Sequence, residues 1–310
     1  MPSRGFQHEA YLYAGTDEFV AGATTFLRPA VEAAQPALVM IDRHKGDRLR
    51  HALGAPDTVE FADIAEAGRN PAQIIPAWEQ FAVAHADSEA VWGIGEPVSA
   101  GRSPAELVEC RLHEALLNMA FADRLGFTLL CPYDTATLAP EVVAAAHTTH
   151  PLVGNGVGPH PSGSYAAVDG GALLSEGLPR PADVAVQLDF RGDDLADVRH
   201  LVGQIATAAG LGDGAMRDMV LAVDEVATNS HRHGGGGGRL LAWIDGHSLV
   251  FEVRDDGRVT DPLVGRRRPT LEQVGGRGLW IANQVCDLVQ IRSSADGTIV
   301  RLHAGLRVPA

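Results

Sequence analysis

The stretch from Gly154 to Pro181 reads GNGVGPHPSGSYAAVDGGALLSEGLPRP, rich in Gly, Pro and Ser and without any sustained apolar period. Such text cannot carry a long strand or helix through a core, so it marks a linker or long loop and divides the chain in two. The expected organisation is an N-terminal domain over 1–153, a linker over 154–183 and a C-terminal domain over 184–310. A chain of 310 residues is long enough for two cores.

The halves differ in the order of their apolar runs. Before the break, strand candidates lie at 9–14, 37–42, 58–63, 90–95 and 127–132. Helix candidates separate them at 17–34, 45–53, 71–85, 104–125 and 140–147. Ser103 and Pro104 supply an N-cap and a first-turn proline. This alternation predicts an α/β fold, a doubly wound, mainly parallel sheet. Ligands of such sheets sit beyond the carboxyl ends of the strands. After the break, a strand at 184–190 precedes helices at 195–209 and 213–231. Two strands follow at 239–245 and 248–254, then a helix from Gly278 to Cys286. A final hairpin, 287–294 and 298–304, turns at Asp296-Gly297. That order predicts an α+β sandwich with a mixed, largely antiparallel sheet covered by helices on one face.

Charge narrows the partners. The formal net charge is −14, and residues 1–153 hold 10 Lys+Arg against 20 Asp+Glu. An acidic chain without clustered cations argues against nucleic-acid binding. Residues 184–310, with 14 Lys+Arg against 16 Asp+Glu, are nearly neutral and better suited to a polyanion. No apolar run approaches the ~18 residues of a membrane span. The N-terminus lacks a signal peptide's apolar core, and three scattered cysteines do not make a disulfide framework, so a cytoplasmic protein is expected. Lys45, the only lysine, reads as a by-product of arginine-biased codons, without a role of its own.

Three features of the C-terminal part carry chemistry. Glu225 and Asn229, four residues apart on the 213–231 helix, share a face. They suit a Mg²⁺ ion with its water, or one holds the metal while the other takes a proton; equally, they suit a plain solvent-facing pair. Asp255-Asp256-Gly257 follows a strand. An acid there accepts a hydrogen bond from an exocyclic amine while the glycine admits a flat ring, or the three form an ordinary Asp-Gly turn. Gly275-Gly276-Arg277-Gly278-Leu279 opens a helix, where free amides and the helix dipole favour phosphate, or it is a flexible loop.

In this order the three resemble the GHKL (Bergerat-fold) ATPases over about residues 184–305. The text DEVATNSHRHG, VRDDGRVTDP and GGRGLWIANQVCD is most similar to the anti-sigma-factor serine kinases. The resemblance implies ATP and Mg²⁺ as cofactors, Asn229 as metal ligand and Glu225 as general base. It also implies Asp255 on the adenine amino group with Gly257 beside the ring, Gly275, Gly276, Arg277, Gly278 and Leu279 along the phosphates, and Thr298 near adenine. A sigma factor and a STAS anti-anti-sigma protein would be the partners, the latter phosphorylated on serine, and a homodimer is one expected state. Two departures stand out. Val259 replaces the second glycine of Asp-x-Gly-x-Gly, and the 258–274 loop carries Arg266-Arg267-Arg268 in place of lysine. The stretch before this domain is too short and irregular for a histidine kinase's dimerising hairpin. A serine kinase, or a non-catalytic ATP-binding switch that captures its partner, fits better.

Residues 5–153 resemble the MEDS sensory domain through HEAYLYAGTDEF at 8–19, RNP at 69–71, GEP at 95–97, HEALLN at 113–118, CPYD at 131–134 and THP at 149–151. The resemblance implies a small-molecule sensor. Asp42, Glu96, Cys131 and Asp134 fall near strand ends with His8 close to the first strand, while His113, His147 and His150 lie on or after helices. A pocket at the strand C-termini would collect some of these. Cys131, His147 and His150 leave a metal or redox sensor open, without a full ligand set in view, and a purely structural or docking domain is the third reading.

Overall fold

The computed structural model describes residues 5–155, 158–167, 170–181, 183–270 and 276–306. The chain divides into two compact units, Met1–Val168 and Asp169–Ala310.

The N-terminal unit begins β1 (Gln7–Tyr13), α1 (Thr16–Glu32), β2 (Ala37–Ile41), α2 (Arg43–Ala52), β3 (Val59–Asp63) and α3 (Ile64–Ala67). It continues α4 (Ile74–Ala84), β4 (Val91–Gly95), α5 (Pro104–Ala120), β5 (Phe127–Asp134), α6 (Pro140–Thr149), β6 (Leu152–Gly154) and β7 (His160–Pro161). The sheet order is β3-β2-β4-β5-β1-β6-β7, parallel at every pairing except β6–β7. Side chains alternate across a strand. Tyr11 and Tyr13 of β1 and Leu130 of β5 therefore join Phe19, Ala23 and Leu27 of α1 and Leu49 of α2 in one core. The intervening residues, His8 on β1 and Phe127 and Cys131 on β5, face α4, α5 and α6; Phe127 packs on Trp78 and Phe121. The doubly wound, mainly parallel reading holds.

The second unit holds α7 (Gly170–Ser175), β8 (Val186–Arg191), α8 (Leu195–Ala208), α9 (Asp213–His233), β9 (Gly237–Asp245), β10 (Ser248–Asp255), α10 (Arg277–Val285), β11 (Leu288–Ser294) and β12 (Gly297–Gly305). Its sheet, β11-β12-β10-β9-β8, is antiparallel at all four pairings. Val198 and Val202 of α8, Met219, Val223 and Val226 of α9, and Leu279 and Ala282 of α10 bury one face of it, as the apolar stripes require. On the other face Glu252 is fully buried and binds Arg254 and Arg301, and Arg301 also donates to the Pro179 carbonyl.

Three details depart from the sequence reading. The C-terminal sheet, expected to be mixed, has only antiparallel pairings among the described strands. The stretch read as a linker contains β7, which pairs with β6 in the first unit, and α7, which packs on β11 in the second. The last hairpin turns at Ala295-Asp296, because Gly297 already pairs with Ser294. Gly297 has φ 114°, and a Cβ there would stand 2.1 Å from the Asp255 carbonyl oxygen. The glycine is used for close approach between strands and not for the turn itself. No helix among the described residues is long and apolar enough to cross a membrane.

Candidate functional site

In the C-terminal unit, Glu225 and Asn229 emerge half-buried from α9, between core residues Ala222, Val226 and Ala227 on one side and exposed Leu221 on the other. They meet the start of α10. A Cβ built on Gly278 would lie 2.7 Å from Glu225 Oε2 and 3.1 Å from Asn229 Nδ2. Only a glycine lets the helix end sit that close to the pair. Gly276, in the left-handed conformation at φ 77°, caps α10. The first amides of an α-helix have no carbonyl acceptor within it, so Gly278 and Leu279 present backbone donors beside the acid/amide pair. Leu279's side chain is in the core, so only its backbone can serve the site. Gly275 lies outside the described residues.

Asp255 ends β10, with two donors on its carboxylate: Ser230 Oγ at 2.6 Å to Oδ2 and the Gly257 amide at 2.8 Å to Oδ1. An ionised carboxylate offers about four acceptor positions, so capacity remains for an amine. A Cβ on Gly257 would stand 2.7 Å from the His233 carbonyl oxygen, which explains the glycine sterically. Thr298 is buried and supports this turn from behind. It donates to the Gly257 carbonyl at 2.9 Å and pairs with Ser293 Oγ at 3.0 Å. The Val259 amide donates to that same Ser293 Oγ at 2.9 Å, so the position lacking the second glycine is held by a hydrogen bond. Arg266 is buried while Arg267 and Arg268 are exposed.

Sequence reasoning missed two contributors. Ser230 follows Asn229 directly and orients Asp255. Gly234 packs on Asp255 so closely that a Cβ would come within 2.4 Å of its Cγ. The available signal was the five-glycine run at 234–238 straight after α9. A hollow of about 510 Å³ opens there, lined by Arg191, Gly234, Arg239, Arg254, Asp255 and Asp256 among others. Of the residues expected to hold nucleotide, it touches only Asp255.

In the N-terminal unit the eight expected sensory residues separate. Glu96, just after β4, is buried and accepts from Tyr13 Oη and from Lys45 Nζ at 2.7 and 2.9 Å. Burial pushes its carboxyl above the usual range, against the pull of Lys45. The only lysine thus holds a buried partner at the carboxyl ends of β1 and β4, correcting the reading that gave it no role. Asp42 caps α2, accepting from the His44 and Lys45 amides, and Asp134 accepts from those of Gly15 and Ala136. An apolar hollow of about 160 Å³ lies between α5 and α6, lined by Val98, Leu107, Val108, Tyr133, Val142 and Ala145 among others.

His8, Cys131 and His150 come together with Glu114 of α5, which sequence reasoning did not single out; all four are buried. His8 Nε2 lies 3.1 Å from Glu114 Oε2 and 3.3 Å from Cys131 Sγ, and His150 Nε2 lies 3.3 Å from Glu114 Oε2. Burial, with His150 adding, lowers His8 to about 4, and burial pushes the Cys131 thiol well up. His113 and His147 are not in this group. The i, i+3 pairing of His147 with His150 fails because α6 ends at Thr149. His150 is extended, at φ −113° and ψ 127°, and leaves the helical face.

Comparison with known proteins follows this division. Residues 7–151 match the model of the MEDS family, the methanogen/methylotroph DcmR sensory domain, and residues 189–304 match the histidine kinase-like ATPase domain. No curated protein matches the chain. Among solved structures, the RsbU and RsbW domains of Rv1364c from Mycobacterium tuberculosis align at 20% identity and TM-score 0.31, over 41% of this chain and 34% of that one. The Acinetobacter baumannii histidine kinase AdeS aligns at 11% identity and TM-score 0.23, over 40% of this chain and 68% of that one. The chain spans about a third of the length of the first of these structures. It joins a MEDS sensory domain to a histidine kinase-like ATPase domain.

Proposed function

We propose that this protein is a cytoplasmic regulator in which the sensory domain, on binding a small molecule, controls a MgATP-dependent serine/threonine kinase acting on a STAS anti-anti-sigma partner. Phosphorylation of that partner would decide whether a sigma factor is held or released. The observation that carries the reading is the meeting of Gly278 with Glu225 and Asn229, next to Ser230, which holds Asp255. The donor set fits a magnesium nucleotide: a carboxylate and an amide oxygen for the ion, backbone amides for phosphates, and a carboxylate with spare acceptor capacity for an exocyclic amine.

Bound magnesium would neutralise phosphate charge; the rest falls to this chain. Asn229 holds the ion and Asp255 accepts from the adenine amino group, with Gly257 leaving room for the ring. The amides of Gly276, Arg277, Gly278 and Leu279 line the phosphates, with Gly275 preceding them. Glu225 takes the proton of the attacking hydroxyl. The three buried, free cysteines suit a reducing compartment.

The test incubates the full chain with γ-labelled ATP and a candidate STAS protein. Label on the partner that vanishes with Glu225→Ala supports the kinase. Nucleotide binding without transfer overturns it in favour of a non-catalytic switch that captures its partner.

A further inference from the structure

We propose that His8, Glu114, Cys131 and His150 form a tetrahedral site for a divalent transition metal, Zn²⁺ first, inside the sensory domain. The argument begins with protons. Asn118 Nδ2 donates to the Thr149 carbonyl at 2.8 Å, which fixes the amide's orientation and leaves Oδ1 facing His8 Nδ1 at 3.1 Å. An amide oxygen only accepts, so His8 Nδ1 carries the hydrogen. His150 Nδ1 lies 2.9 Å from both the Ala146 carbonyl oxygen and Thr149 Oγ1. The carbonyl only accepts, so Nδ1 carries the hydrogen, while the Thr149 hydroxyl donates toward the Ala145 and Ala146 carbonyls. In neutral rings both Nε2 atoms are then bare lone pairs; that of His8 faces Glu114 Oε2 and Cys131 Sγ, and that of His150 faces Glu114 Oε2.

That leaves one proton, on the thiol, among four electron-rich atoms. It satisfies at most one contact. His150 Nε2 makes no hydrogen bond although it stands 3.3 Å from Glu114 Oε2, and Glu114 Oε1 is buried without any partner. Unpaired buried acceptors are costly, and a cation among the two Nε2 atoms, the Cys131 sulfur and the Glu114 carboxylate would neutralise the carboxylate and give each of these groups a partner. The distances agree. Three separations are 3.1, 3.3 and 3.3 Å and all four ligand atoms lie within 4.8 Å of one another, a spread that brackets the edges of about 3.3–3.8 Å of a tetrahedron with bonds of about 2.0–2.3 Å.

The surroundings match how metal-binding histidines are held. Each ring donates its outward N–H to a carbonyl oxygen, the usual device for fixing tautomer and ring orientation at a metal. Two nitrogens, a thiolate and a carboxylate suit zinc in preference to Mg²⁺ or Ca²⁺, which take oxygen. Four protein ligands fill the tetrahedron and all are buried, the arrangement of a structural site without an open position. The ligands come from β1, α5, β5 and the residue that ends α6, so the ion would tie two central strands to the helices beneath them. On binding, the thiol proton leaves to solvent and zinc takes its place.

The full chain, purified without chelator, is expected to carry about one zinc by elemental mass spectrometry. After stripping, Co²⁺ titration is expected to give the intense visible bands of four-coordinate cobalt together with a thiolate-to-metal charge-transfer band, both displaced by Zn²⁺. Cys131→Ser should lose the charge-transfer band and Cys110→Ser should keep it; Glu114→Gln should weaken uptake at least tenfold. Circular dichroism of each protein excludes misfolding as the cause. A stripped chain that stays folded yet takes up no Co²⁺ overturns the proposal. So does a charge-transfer band that survives in Cys131→Ser. Magnesium at the ATPase domain produces no thiolate band, so neither result depends on the nucleotide site.

Discussion

Gly278 and Glu225 are so placed that a single methyl group separates a working arrangement from a collision: a Cβ on the glycine would lie 2.7 Å from the carboxylate Oε2. In Gly278→Ala, alanine's better helix propensity favours α10 by up to about 1 kcal/mol, while the contact forces Glu225 or the helix end aside. The expected outcome is a fall of at least about tenfold in ATP affinity by calorimetry, with thermal stability close to that of the parent. Unchanged affinity would mean that nucleotide does not sit between α9 and α10.

Much of this pair was legible because it is local. Glu225 and Asn229 share a face by spacing alone, and Gly-x-Gly before an amphipathic run marks a helix start. The same i, i+4 spacing links Glu114 and Asn118, yet there it passes unnoticed, because its meaning depends on His8, 106 residues from Glu114 in sequence. Only the sheet order, with β1 inserted beside β5, brings them together. Lys45 was misjudged for the same reason: its partner Glu96 lies on another strand's end. The Asp296-Gly297 turn slipped by one residue because composition cannot distinguish a glycine needed for a turn from one needed for close strand contact.

Ser230 extends the nucleotide site by one residue. Its hydroxyl lies 2.6 Å from Asp255 Oδ2 and is the side-chain donor holding that carboxylate. A hydrogen bond to a charged group contributes roughly 1.5–3 kcal/mol, some of which water replaces. Ser230→Ala is expected to weaken ATP binding by about five- to tenfold. The sharper readout is selectivity. If Asp255 reads the adenine amino group, preference for ATP over GTP should shrink along with affinity. A loss equal for both nucleotides would make Ser230 a fold residue only.

Behind the C-terminal sheet, Glu252 is fully buried and binds Arg301, itself only 7% exposed. Breaking such a pair from one side strands the other charge, typically at about 3–5 kcal/mol. Glu252→Ala should lower the urea midpoint of the ATPase unit's transition accordingly. Glu252→Leu combined with Arg301→Leu should recover most of the loss, since the remaining groups no longer include an uncompensated buried cation. Equal losses in the single and double variants would refute this account.

Lys45 and Glu96 allow a test in which pH supplies the direction. Burial raises the folded-state carboxyl above its ordinary value, and Lys45 opposes that rise from 2.7 Å. A carboxyl raised on folding favours the protonated chain. Its contribution is fully present below the unfolded value of about 4.3 and is lost as pH climbs through the folded value. Removing the cation in Lys45→Met lifts the folded value further, so the loss continues over a wider span. Relative to the parent, the variant should lose melting temperature steadily from pH 5 to pH 8, with the smallest deficit at the acidic end. Adding Glu96→Gln should abolish that added slope, because nothing remains at the site to ionise. Parallel melting curves for parent and Lys45→Met across this range would show that Lys45 does not bear on the charge of Glu96.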